Sequence, residues 1–144
     1  MPIVRANDAA VRARVREILT NVRRQVDAAE AEFRQEHLPP PTRERPRHDP
    51  EAIRQAQLIE TIGREIGALE GQIRALPAFL DDQMSDSVRR DQVAGTDQAL
   101  IAHAEFLGAL LAPESGQWMA RNAAEIQACI QAVRVLVQER SGLF

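Results

Sequence analysis

Residues 59–76, IETIGREIGALEGQIRAL, decide the fold. Ile59, Ile62, Ile66, Leu69, Ile73 and Leu76 follow one another at intervals of three, four, three, four and three, a heptad pattern. A helix with this spacing presents one narrow apolar stripe. That stripe needs other helices against it, from the same chain or from a partner.

Working outward, residues 38–50, LPPPTRERPRHDP, stand before this helix with five prolines and three arginines. Asp49 is placed to cap the helix, Pro50 suits its first position, and Glu51 complements the positive end of its dipole. Pro77 ends it, because helical backbone is disfavoured immediately before proline. Upstream, Val11, Val15, Ile18, Val22, Val26, Ala29 and Phe33 step by three or four, which predicts a first helix over 8–37 capped by Asn7 or Asp8. Its eleven-residue repeat is close to the period of a straight helix. The proline-rich linker can reach roughly 40 Å at about 3.1 Å per residue. It can therefore return the chain along the whole first helix or hand that helix to another protomer.

Downstream, a short helical piece is expected over 78–84. A third helix over about 86–112 follows, capped by Ser85 or Asp86, with Leu100, Ala104, Leu107 and Leu111 on one face and a weak point at Gly95-Thr96-Asp97. Pro113-Glu114-Ser115-Gly116 turns the chain. A fourth helix over about 116–140 carries Met119, Ala123, Ile126, Ile130, Val133 and Val137, with Gly142 as its stop. The expectation is an all-α protein: an elongated bundle of about four helices, one domain over 1–144, with 38–50 as a linker.

Composition narrows the function classes. One Trp, four Phe and no Tyr leave the core to aliphatic residues. All eighteen basic residues are arginine, a bias expected of a GC-rich bacterial or phage genome. No apolar run reaches the roughly 20 residues that span a bilayer, and arginines interrupt the first 24 residues, so no membrane span or leader is expected. The single Cys129 excludes an internal disulfide and suits a cytoplasmic setting. Among Ile126, Ile130 and Val133 it is expected to fill core.

Three features bear on binding. Gly63, Gly67 and Gly71 recur every fourth residue beside the apolar seam. Glycine costs roughly 1 kcal/mol relative to alanine inside a helix, so the repeat implies close approach of another helix, or else a hinge. Arg12, Arg16 and Arg23 share one flank of the first helix, and residues 1–47 carry a net charge of +3 against −6 for the rest. Such a stripe can hold nucleic-acid phosphates or an acidic partner, although the chain is acidic overall and has few aromatics to stack on bases. Trp118, the only tryptophan, opens the fourth helix beside Met119 and is either packing at the bundle end or a partner contact.

Catalytic patterns are weak. His37, His48 and His103 have no partners at metal-binding spacings, and no Glu-x-x-His pair exists. The segment HAEFLG around His103 departs from a phosphotransfer histidine box by a displaced glycine and an absent lysine. Arg43 and His48 have the Arg-x4-His spacing of helical HEPN ribonucleases, but they straddle the proline-rich linker. Asp81, Asp82 and Asp86 read as a solvated loop. No P-loop or dinucleotide fingerprint is present.

The reading is a non-enzymatic protein–protein interaction module, a helical bundle that self-associates or caps a partner through its apolar seams. It requires no cofactor, no metal and no small-molecule substrate. The expected interface is Ile59, Ile62, Gly63, Ile66, Gly67, Gly71, Ile73 and Trp118. The alternative is an accessory protein that binds nucleic acid or an acidic partner through Arg12, Arg16 and Arg23.

Overall fold

The computed structural model describes residues 6–44, 47–76 and 87–143. These form helices α1 (Ala6–His37), α2 (Pro50–Arg74), α3 (Ser87–Leu110), α4 (Gly116–Arg121) and α5 (Ala123–Gly142), with no strand among the described residues. The all-α expectation holds. Asp49 starts α2 in extended geometry, its Oδ1 accepting from the Glu51 amide at 3.1 Å, with Pro50 next. At the other end α2 stops at Arg74, two residues short of the expected Leu76, with Ala75 as its cap, in keeping with the restriction before Pro77. α1 begins at Ala6, so Asn7 and Asp8 lie inside its first turn instead of capping it.

In the second half, α3 follows the expected third helix and runs without interruption through the weak point at Gly95-Thr96-Asp97, where Thr96 Oγ1 donates to the Gln92 carbonyl at 2.8 Å. The single helix expected over 116–140 is divided into α4 and α5 at Asn122, whose backbone leaves the helical region (φ −107°, ψ 20°). Asn122 Nδ2 donates to the Trp118 carbonyl at 2.9 Å, so the side chain competes with the backbone for that acceptor. The expected piece at 78–84 and the caps at Ser85 or Asp86 lie outside the described residues.

Side-chain pairs fix the directions of the helices. Ion pairs Arg34–Glu60 (3.3 Å) and Arg23–Glu70 (3.5 Å) align α1 antiparallel to α2. Gly108 faces Ile18 and Val22 while Glu114 pairs with Arg24, so α3 runs parallel to α1. The contacts Asp97–Arg140 and His103–Cys129 set α5 antiparallel to α3. α1 and α5 each pack beside both α2 and α3, and α1/α5 and α2/α3 form the diagonals. The Pro/Arg linker thus joins adjacent ends of α1 and α2 in a hairpin within the chain. Its full reach is not used.

All four stripes meet on one axis. Ile59, Ile62, Ile66 and Leu69 are fully buried, and Ile73 and Leu76 nearly so. They pack with Val15, Leu19, Val22 and Val26 of α1, with Leu100, Ala104, Leu107 and Leu111, and with Met119, Ile126, Ile130, Val133 and Val137. At roughly 1.5–3 kcal/mol for each buried large aliphatic side chain, this cluster supplies the dominant stabilisation. α4 closes one end. It follows a turn in which Glu114 takes the left-handed φ of 51°, and Ser115 Oγ accepts from the Trp118 amide.

The glycines differ in what surrounds them. A Cβ at Gly71 would meet nothing within 4 Å, whereas one at Gly116 would lie 2.6 Å from Phe33 Cβ and 3.0 Å from Ile59 Cδ1. Gly71→Ala is therefore expected to stabilise the fold by about 0.5–1 kcal/mol through helix propensity. Gly116→Ala should destabilise it by about 1–3 kcal/mol through overpacking. Urea unfolding midpoints distinguish them, and shifts in the same direction would contradict this packing.

Candidate interaction surface

The outer face shared by α3 and α5 is held in register by a buried ion pair. Asp97 precedes Leu100 by three residues and Arg140 follows Val137 by three, so both charged side chains occupy positions that otherwise carry the core stripe. Arg140 has 0% exposure and Asp97 1%. Arg140 Nε donates to Asp97 Oδ1 at 2.6 Å, a charge-assisted bond in a dry environment. Desolvating both ions costs several kcal/mol each, which only close pairing offsets. α5 therefore cannot slide along α3 without separating the charges. Sequence reasoning missed this pair, although the signal was available as two charges in core register.

Above that anchor, α3 supplies Ala102, His103 and Phe106 and α5 supplies Glu125, Ala128, Cys129 and Ala132 to a shallow apolar groove. Phe106 is 52% exposed, the most open of the large hydrophobic side chains among the described residues. It lies off the Leu100–Ala104–Leu107–Leu111 stripe, so its burial is not needed by the bundle. Val135, three residues beyond Ala132 on α5, is also exposed. At the end of this face, Trp118 Nε1 donates to the Leu110 carbonyl at 2.8 Å, one turn beyond Phe106. The indole is part-exposed.

Cys129 Sγ lies 3.7 Å from the His103 carbonyl. Burial, reinforced by the Glu125 carboxylate, pushes its thiol above the usual range. It is a protonated core residue at neutral pH, without the thiolate character of a nucleophile. Among the described residues, no group of three or more His, Cys, Asp or Glu is placed to hold a metal ion.

The other residues singled out from sequence are placed elsewhere. Ile59, Ile62, Ile66 and Ile73 lie in the core, covered by this chain's own helices. A Cβ at Gly63 would approach Val26 Cγ1 to 3.4 Å, and one at Gly67 would approach Arg23 Nη1 to 3.4 Å. The close-packed neighbour of these two glycines is thus α1 of the same chain, and Gly71 has none. Gly67 makes room for the Arg23 guanidinium to reach the buried Glu70. Arg12 Nη1 donates to the Leu76 carbonyl at 3.3 Å, and Arg16 is exposed. Of the three stripe arginines, Arg23 is accordingly engaged on α2 and Arg12 just beyond its end.

Compared with known proteins, the chain matches no family model, no curated protein and no solved structure. Among the described residues, no helix is long and apolar enough to cross a membrane.

Two measurements check this geometry. Arg140→Met should cost about 3–5 kcal/mol by leaving the Asp97 carboxylate buried without its cation, and adding Asp97→Leu should recover most of that loss. Additive losses in the double variant would contradict the pairing. Cys129 of the folded protein should react with iodoacetamide at least roughly tenfold more slowly than in the unfolded chain at pH 8. Because its pKa is raised, its rate should keep rising with pH after that of the unfolded thiol has levelled off.

Proposed function

We propose that the protein is a non-enzymatic protein–protein interaction module, a small helical bundle that caps a partner through the α3–α5 face. The apolar seams expected to serve as the interface are filled by the chain's own helices, which moves the reading to the outer face. The observation that carries it is Phe106, an aromatic ring half-open to water among alanines on a bundle whose core stripes are closed. Covering its exposed half would remove roughly 100 Å² of apolar surface, worth about 2–3 kcal/mol. That is the magnitude of an interface hot spot, and aromatic side chains are the usual ones. A cytoplasmic setting belongs to the same proposal, supported by the single buried, unpaired cysteine.

The test is retention of host proteins by immobilised wild-type protein and by Phe106→Asp, with circular dichroism confirming equal helicity. A protein held stoichiometrically by the wild type and lost with the variant is the expected outcome. An identical retained set for both would overturn the assignment of this face.

A further inference from the structure

Electrostatics at the rim of the α3–α5 groove distinguish among its potential occupants. Glu125 lines the groove itself. On α3, Glu105 is exposed and stands three residues after Ala102 and four before Ala109. On α5, Glu139 is exposed seven residues after Ala132, two turns along the same side. Arg134 sits on the other flank of α5, where its Nη1 donates to Gln131 Oε1 at 3.1 Å. Arg140 is buried against Asp97. Arg121, exposed four residues before Glu125, adds one cation at the α4 end, so among the described residues the apolar floor is bordered by three carboxylates against one arginine.

A second copy docking by the same face would bring two predominantly acidic borders together, and like charges across an interface are repulsive. A complementary occupant carries the opposite sign. Its shape is constrained too, because a groove between two antiparallel helices takes a third helix along its length. Alanine at 102, 128 and 132 lets that helix come close, and Phe106 supplies the projecting side chain for its apolar face.

We propose that this groove binds an amphipathic helix of a partner protein whose apolar stripe is flanked by arginine or lysine. The apolar stripe covers Phe106 and the alanines, and the basic flanks lie over Glu105, Glu125 and Glu139. This rests on the reading of the protein as an interaction module and adds the chemistry of the partner. Apolar burial holds the helix in place, and the rim charges select it over acidic helices and over self-association.

The experiment uses the full chain and two fluorescent 18-residue synthetic helices with the same leucine and alanine face, one flanked by arginine and the other by glutamate. Fluorescence anisotropy should give the arginine peptide an affinity roughly tenfold or more above the glutamate peptide, since three exposed charge pairs each contribute a small factor. Added salt should narrow that gap. Phe106→Ala should weaken the arginine peptide about tenfold. Glu105→Gln with Glu125→Gln and Glu139→Gln should remove the preference for it while leaving the Phe106 dependence.

Equal affinity of both peptides, with Phe106 still required, would overturn the basic-helix assignment and leave the face as an interaction site. Arginine-peptide binding indifferent to Phe106→Ala would mean non-specific attraction to an acidic protein and would overturn the groove itself. Absence of binding by both peptides would also overturn the proposal. So would a concentration-dependent dimer, detected by light scattering and abolished by Phe106→Asp, because the occupant would then be a second copy.

Discussion

The structure depends on a constraint of supply: with almost no aromatic bulk, the core must be closed by aliphatic stripes meeting along a single line. A narrow heptad stripe, such as that of α2, is fully covered only when neighbours lie on both sides. α1 and α5 take those places, and α3 completes the square opposite. This explains why Ile59, Ile62, Ile66 and Leu69 are fully closed to water. It also explains the glycines at 63 and 67. They sit where α1 comes closest, one admitting Val26 and the other the Arg23 guanidinium that reaches Glu70.

Much of this was legible because periodicity reports burial directly. Each residue assigned to the seam of α2 is buried, as are the stripe residues read on the last helix, Met119, Ala123, Ile126, Ile130, Val133 and Val137. Asp49 and Pro50 marked a helix start because their local chemistry does not depend on the tertiary fold. Where the sequence reading failed, a side chain acted outside its usual class. Asp97 looked like a helix-weakening residue and is instead a core position, stabilised by a cation 43 residues away that no local pattern connects to it. Asn122 breaks the final helix without glycine or proline, through a side-chain bond to the Trp118 carbonyl.

The candidate surface was less visible for a related reason. Alanine is equally at home inside and outside a helical protein, so Ala102, Ala128 and Ala132 give no signal until the helices bearing them are paired. Phe106, a large apolar residue off the stripe of its own helix, shares that position with Ile101 and Leu110, so it gave no signal of its own. The seams expected as the interface are filled by the chain's own helices, because a seam that demands a partner does not state whether that partner is in the same molecule. Trp118 is placed differently from the seam residues, its N–H satisfied at a bundle end while its ring stays part-exposed.

The order of the helices has a consequence for assembly. α1 and α2 form one antiparallel hairpin and α3 and α5 another, so each pairing within a hairpin is local in sequence and inexpensive in loop entropy. The remaining contacts, α1 with α3 and α2 with α5, join the two hairpins. Either hairpin alone would leave two apolar stripes open to water, and covalent connection holds the matching half at an effective concentration on the order of millimolar. Cutting the chain between residues 76 and 87 would turn that intramolecular closure into an encounter between two complementary fragments.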